Sequence, residues 1–387
     1  MDSLLQAIDL QLPQMVGWRR YLHQYPELSY HEFETAAFVA NLLEQWGLEV
    51  RTHVGGNGVV ARLKGSGNGP TVALRADMDA LPIQDEKNCE YASTQKGIMH
   101  ACGHDAHTST LLGVAKVMSE HAEQLKGDVV FIFQHAEEQS PGGALSMIKD
   151  GALEGVEYVY GIHLWTPFPV GAAYSKPGPM MAAADEFIIV VKGKGGHGGL
   201  PHQTIDSVVV ASQIVVNLQT IVSRSVNPIE PCVVSVGSFH SGSSFNVIAE
   251  SAVLNGTVRT FDAGLRLEVK TRMERIVRQT CEMYGADHTF EYKMGYPPVV
   301  NDEVEAERFL RAGARVLPVH VAPLIMAGED FAYYLHDCKG CFMFVGAGNP
   351  EQGAIYPHHH PKFDIDESSM RDAARLFIAI VTDCQNG

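Results

Sequence analysis

Apolar residues in the first fifty positions recur at helical spacing, with Phe38, Val39, Leu42, Leu43 and Trp46 on one stripe, until Gly47 breaks the run ahead of Leu48 and Val50. The pattern then changes to short apolar runs: VVARLKG, TVALRADMD, VVFIFQHAEE and YVYGIHLW read as strands, separated by helical stretches at Thr108 to Met118 and ALSMIKDGALEG. Strands alternating with helices predict an α/β domain with a largely parallel mixed sheet flanked by helices. The residues with chemical potential fall just after the strands, at the edge where open α/β sheets bind ligands.

Beyond Ala182 the period shifts again. EFIIVVKGKGG alternates as a half-buried strand, Thr204 to Arg224 reads as a long helix, and CVVSVGSFHSG and ESAVLNGTVRTF as strands. Leu265 to Tyr284 is a second helix, with Leu267, Val269, Met273, Ile276 and Val277 on one side, and HTFEYKMGYPP a closing strand. The order β-α-β-β-α-β predicts an α+β ferredoxin-like unit inserted into the first domain. We therefore expect a discontinuous domain over 1–181 and 294–387 and an inserted one over 182–293.

Composition narrows the function classes. A formal charge of −16 over 387 residues argues against nucleic acid and anionic membrane surfaces as partners. The N-terminal stretch lacks the basic-then-apolar order of a signal peptide, and no apolar run reads as membrane-spanning. Seven scattered cysteines suit free thiols in a reducing, cytoplasmic compartment. Cys338-Lys-Gly-Cys341 has no second C-x-x-C to complete a zinc knuckle and reads as two buried or half-buried thiols near a strand.

The stretch MHACGHDAHTS crowds three histidines, a cysteine and an aspartate into eleven residues. Three further pieces belong with it: Glu137-Glu138, His163 in GIHLW, and the triplet His358 to His360 before Pro361. Each alone has an ordinary reading, as a polar strand end, a solvated loop or a surface histidine. Together, after buried strands, they read as a metal centre. Thiolate, imidazole and carboxylate suit zinc, manganese, cobalt or nickel better than magnesium or calcium, and the number of candidates suggests two metals. A nucleophilic Cys102 with His104 as its base is the competing enzymatic reading, and a metal-binding module without chemistry the non-enzymatic one.

At these residues the chain resembles the dinuclear metallopeptidase family of aminoacylases, carboxypeptidases and deacylases. The likeness is to the amidohydrolase branch typified by hippurate hydrolase and auxin-amino-acid conjugate hydrolase. RRYLHQYPELSYHEFETA, RADMDALP, MHACGHDAHT, AEE, GIHLW, GKGGHGGLPH, GEDF and HHPKFD carry the likeness over the whole length. The resemblance implies two divalent transition-metal ions per subunit held by Cys102, His104, Glu138, His163 and His359, with Cys102 bridging. His358 and His360 remain competitors for the last position. Arg75 stands where relatives outside the branch carry a histidine ligand.

The resemblance further implies Glu137 as general base and then general acid for a metal-activated water. His197 would act from the inserted lid and dimerisation domain into the partner subunit's site. Asn246 would line the site and Arg259 would hold a substrate carboxylate. Asp105, by its own place beside His104, would accept from a ligand or fix the loop, with a plain loop-capping carboxylate as the alternative. The expected reaction is hydrolysis of an N-acyl amino acid by a homodimer or higher homo-oligomer. A dipeptidase, or a deacetylase of diaminopimelate or cysteine derivatives, is the alternative. Departures from the branch are His135 before AEE, Ser207 after PHQTID, and His358.

Overall fold

The computed structural model describes residues 1–386, which form two compact units. The first comprises Met1–Met180, Val300–Pro323 and the stretch from Asp330 onward, and the second Met181–Val299 with Leu324–Glu329.

The first unit is built on an eight-stranded sheet in the order Glu49–Val54, Gly58–Leu63, Gly127–Gln134, Gly69–Asp77, Tyr158–Pro169, Lys339–Gly348, Ala173–Ser175, Val319–Val321. The four central strands, from Gly127–Gln134 to Lys339–Gly348, run parallel. The margins include antiparallel pairs, Glu49–Val54 on Gly58–Leu63 and Gly58–Leu63 on Gly127–Gln134. Continuous apolar runs are what a sheet covered on both faces requires. Phe131, Phe133, Tyr160 and Phe344 are all fully buried, and each such side chain contributes roughly 2–3 kcal/mol by leaving water.

Helices Asp2–Gln24, His104–Glu120 and Ser368–Asn386 pack together over this sheet. Gly113 sets how closely the first two approach, since a Cβ there would sit 2.4 Å from Met15 Sδ. Parallel strands place their carboxyl ends on one edge. The segments that follow Gly69–Asp77 and Gly127–Gln134 therefore emerge side by side.

The second unit has the predicted order of elements. Its four-stranded antiparallel sheet runs Cys232–Ser241, Ser251–Thr260, Ala183–Lys192, Asp287–Tyr296. Helices Ser207–Thr220 and Ala263–Tyr284 pack on it through Val210, Ile214, Leu218, Val269, Met273 and Val277. Asp206 and Asp262 cap the helix starts and Gly285, at φ 72°, ends the second helix.

Two readings are corrected here. The closing strand runs through position 294 to Tyr296, so the second unit extends to Val299, and Leu324–Glu329 returns to it. Met181 and Ala182 hold that return, with Ala182 N donating to Ile325 O at 3.0 Å. Also, Ser207–Ser225, at nineteen residues, is long and apolar enough to cross a membrane by length and composition. Gln213, Asn217 and Gln219 interrupt it in sequence, and one face of it lies in the core just described.

Candidate metal centre

The CGHD turn is set by Gly103, which caps helix His104–Glu120 at φ 93°, a conformation that disfavours any side chain. Cys102 and His104, on either side of this glycine, are both buried. His163 lies within its strand, and Glu137-Glu138 follow Gly127–Gln134 after Ala136, whose φ is 52°. His359, at φ 65°, is tied to the CGHD segment by its amide, which donates to Ala101 O at 2.8 Å. Two non-glycine residues in the left-handed region, one at each approach to the cluster, cost of order 1 kcal/mol or more each, and such outliers concentrate at functional sites.

Among the groups of candidate donors in the described residues, three are made wholly of the residues singled out in sequence. The ligand atoms of Cys102, His104 and His163 lie within 4.8 Å of one another, as do those of Cys102, Glu138 and His359, and those of His104, Glu137 and Glu138. Cys102 Sγ stands 3.5 Å from His163 Nε2, His359 Nε2 3.4 Å from Glu138 Oε2, and His104 Nε2 3.8 Å from Glu138 Oε1. Ligands held about 2.0–2.3 Å from one tetrahedral ion sit roughly 3.3–3.8 Å apart. His104 Nε2 and Glu138 Oε1 are buried without a hydrogen-bond partner, which water-free polar atoms avoid unless something else satisfies them.

The imidazoles are oriented from behind. His163 Nδ1 donates to Leu164 O at 2.9 Å, and His104 Nδ1 to Asp79 O at 2.9 Å, so each presents its Nε2 lone pair to the cluster. Burial, with His107 and His358 nearby, holds the His163 imidazolium well below its ordinary range, so this ring is neutral. Burial alone would also depress His104, but Asp77, Asp79 and Glu138 outweigh it and lift it to about 10. The pocket favours a cation at that point. The Cys102 thiol is pushed well up, by burial first and then by Glu138 and Glu137, so metal binding must displace its proton. The donor set therefore fits a borderline transition metal.

The histidine triplet separates by geometry. His360 Nδ1 accepts from Lys362 N, and its ring stacks on Tyr356 at 4.4 Å. His358 Nε2 accepts from Thr166 N, its ring stacks on Trp165 at 4.3 Å, and its Nδ1 lies 3.8 Å from Cys102 Sγ. His359 is the one whose nitrogen joins Cys102 and Glu138 in a triad. His107 is engaged elsewhere: its Nδ1 pairs with Asp77 Oδ1 at 2.6 Å and its Nε2 accepts from Leu164 N. Arg75 is buried and donates to Asp77, Asp330 and Gln134.

Of the two roles expected of Asp105, the structure shows the loop-fixing one and no bond to a candidate ligand. Its carboxylate accepts from Arg19 Nε at 3.0 Å and meets His23 Nδ1 at 2.7 Å, facing away from the cluster because it occupies the first turn of a helix whose start carries His104. Arg19 also reaches Asp364 and Glu367, so this buried network ties the CGHD helix to the chain after His359. The carboxylates beside His104 are instead Asp79, whose main chain and Oδ1 meet Nδ1, and Asp77, whose Oδ2 lies 3.8 Å from Nε2. RADMDALP contained both, but their position beside His104 required the folded chain.

In the second unit His197 is exposed and lies opposite Val247 in a two-stranded ladder. Its Nδ1 accepts from Gly199 N at 3.0 Å. Asn246 O accepts from Gly198 N at 2.8 Å, so the two residues singled out in sequence are neighbours. Arg259 lies on the four-stranded sheet, where it donates to Val258 O and to the Thr257 hydroxyl. Among the described residues it makes no ion pair. His135 is buried against Tyr30, and Ser207 opens its helix with a hydroxyl bond to Ala249 O.

Residues 73–383 match peptidase family M20/M25/M40. The chain belongs to that family. It is 44% identical over 363 residues to the N-acetyl-L-cysteine deacetylase of Bacillus subtilis, covering 93% of this chain and 86% of the relative. It is 48% identical over 300 residues to an N-acyl-L-amino acid amidohydrolase of Geobacillus stearothermophilus, covering 78% and 81%. The crystal structure of Bacillus subtilis YXEP, a dinuclear metal-binding M20 peptidase, superimposes with a TM-score of 0.84 at 36% identity over 98% of this chain and 99% of that one. This M20 chain is an amidohydrolase, and metal-dependent amide hydrolysis is its reaction class.

Proposed function

We propose that this M20 enzyme cleaves N-acyl amino acids to a carboxylic acid and a free amino acid at a two-metal centre. The observation that carries the reading is the pair of donor triads sharing Cys102, with Glu137 and Glu138 adjacent. Cys102, His104 and His163 would hold one ion and Cys102, Glu138 and His359 the other. Such ions, when bound, supply Lewis acidity and lower the pKa of water.

The remaining steps belong to side chains. Glu137 takes the proton of the attacking water and returns it to the leaving amine nitrogen, while Glu138 stays with the metals. That division accounts for two adjacent glutamates. Arg259, a half-buried guanidinium without a carboxylate partner among the described residues, supports an anionic substrate in a protein of net charge −16. His197, with Nδ1 occupied and Nε2–H outward, and Asn246 beside it are assigned to substrate and oxyanion contacts in the partner subunit's site of a homodimer. Seven unpaired thiols support a reducing cytoplasm.

The test is amine release from a panel of N-acetyl, N-benzoyl and longer N-acyl amino acids, with N-acetyl-cysteine, N-acetyl-diaminopimelate and dipeptides included. The protein is stripped of metal and then reconstituted separately with zinc, manganese, cobalt or nickel. Metal-dependent release that ranks N-acyl amino acids above dipeptides is the expected result. Preference for dipeptides would replace the substrate assignment, and release by the stripped protein would overturn the mechanism.

A further inference from the structure

The stretch RRYLHQYPELSYHEFETA carries two side chains that the reaction above does not use, Tyr30 and Glu32, and both close on the turn that holds the glutamate pair. Glu32 is fully buried. Its Oε1 accepts from Ala136 N at 2.8 Å and from Tyr30 N at 3.0 Å, and its Oε2 accepts from Asn57 Nδ2 at 3.1 Å. Tyr30 Oη donates to Gln139 O at 3.1 Å, and its ring packs edge-on against His135. Residues 136–139 are thus gripped at both ends, by a carboxylate where the turn begins and by a phenol where it finishes.

These grips differ from the local bonds of the same segment. Nearby Glu27 accepts from Glu34 N at 3.2 Å and from Thr35 N at 2.8 Å, and so satisfies the first amides of helix Phe33–Gln45. Glu32 instead reaches across the fold, to a residue 104 positions away and to another 25 away. Burying a carboxylate is costly unless its acceptors are used, and closing the Tyr30 turn alone would need one bond. Ala136 shows what the distant bond does. Its φ is 52°, a region that disfavours a side chain, and its buried amide has the Glu32 carboxylate as acceptor. That backbone angle sets the direction in which the chain leaves strand Gly127–Gln134, and Glu137 is the next residue.

We infer that Glu32 is a positioning residue for the proton-carrying Glu137, and that Tyr30 steadies the far end of the same turn. The role rests on the proton assignment to Glu137 made above. What the turn requires is acceptor oxygen rather than charge. Burial raises the Glu32 carboxyl and Asp79 adds to the rise, so the anion is held here at a cost. Glutamine offers the same Oε1 to Ala136 N and Tyr30 N while its NH2 faces Asn57, whose amide turns to present its oxygen. Alanine leaves the Ala136 amide buried without that acceptor, and the left-handed angle relaxes. Glu138, assigned to the metals, keeps that second anchor, so the displacement falls on Glu137.

The experiment uses the full chain loaded with zinc and the best substrate of the panel. Glu32→Ala is expected to keep its zinc by elemental analysis and to lose about 10–100-fold in kcat, the cost of slightly misplacing a reacting group, with KM little changed. Glu32→Gln is expected to recover kcat to within about threefold of wild type. Glu27→Ala, which removes helix bonds from the same segment, should lower the melting temperature and leave kcat and KM as they are. Should Glu32→Ala fail to fold, Tyr30→Phe carries the test, because it deletes only the bond to Gln139 O. A kcat about three- to tenfold lower at unchanged zinc content is then expected, and wild-type kcat would overturn the inference.

Wild-type kcat in folded Glu32→Ala, with only the melting temperature lowered, would make Glu32 a turn residue and overturn the inference. So would zinc loss that accounts for the lost turnover, because Glu32 would then serve the ligands. A Glu32→Gln variant as slow as Glu32→Ala would overturn it too, because the charge would then be the requirement. Wild-type protein that holds zinc yet hydrolyses nothing in the panel would remove the proton assignment and the role built on it, a result distinct from a Glu32→Ala variant that matches an active wild type.

Discussion

His104 Nε2 and Glu138 Oε1 face each other across 3.8 Å, both buried and neither with a hydrogen-bond partner. The separation is too long for a hydrogen bond, which leaves both atoms open to metal, one in each of the two triads that share Cys102. Because the two donor triads share only Cys102, their losses differ. Wild-type protein is expected to hold two zinc ions per chain by elemental analysis after desalting. His104→Ala should retain about one, since Cys102, Glu138 and His359 remain. Cys102→Ala should retain almost none. Equal losses in the two variants would break the assignment of Cys102 as the shared ligand.

Glu137 is assigned to protons and Glu138 to metal, although they are adjacent. Glu137→Gln should keep both ions and lower kcat by about 10³, within the range for losing a general base. Glu138→Gln should lose metal first, with activity partly restored by excess zinc. A Glu137→Gln variant with full turnover would remove the proton role.

The Arg19 network gives a pH dependence. Burial would raise the Asp364 carboxyl, but Arg19 and Lys87 overcome this and hold it far below the usual carboxylate range. A carboxylate depressed in the folded state stabilises the protein above its unfolded pKa of about 3.9. That contribution is lost as pH falls toward the folded value. Asp364→Asn should therefore cost most at neutral pH, about 3 kcal/mol with Arg19 still buried. The cost should shrink steadily below about pH 4. Urea unfolding of metal-free wild type and variant at pH 7 and pH 3.5 measures this, and an equal cost at both values would contradict it.

Helix Ser207–Thr220 turns apolar residues outward as well as inward. Val209 and Val216 are 49% and 60% exposed, and Val208 is also open. A second copy of the chain is the proposed cover. Val209→Asp with Val216→Asp should shift sedimentation from dimer to monomer and cut activity while leaving metal content intact. Mixing His197→Ala with Glu137→Ala subunits should recover activity in the heterodimer, up to about a quarter of wild type on random exchange. Absence of recovery after verified exchange would place His197 in its own subunit's chemistry or outside it.

Much of this arrangement was legible in the chain. Alternating apolar runs gave the parallel centre of the sheet because strands buried on both faces must be continuously apolar. The β-α-β-β-α-β order gave the ferredoxin-like unit. The donor residues were legible because His, Cys and Glu after strands are few and chemically distinctive. What escaped was everything that depends on long-range proximity. Asp79 and Asp105 look alike in sequence, one in RADMD and one in CGHD, and only the fold shows that the more distant of the two meets His104. Arg19 and His23 were visible in RRYLHQ, but their partner Asp364 lies at the other end of the chain. The return of Leu324–Glu329 to the second unit carries no periodic signature at six residues.

The insertion also dictates the order in which a growing chain can become an enzyme. Cys102, His104 and His163 are all translated before the second unit begins at Met181. Yet the strand that carries His163 pairs with Lys339–Gly348, and His359 follows that strand. The nascent chain therefore carries the three donors of one triad through the synthesis of an entire ferredoxin-like unit with strand Tyr158–Pro169 paired on one side only, with Gly69–Asp77, and with the second triad still lacking His359. An ion captured early would meet a single triad, and the second closes only when the last few dozen residues bring His359.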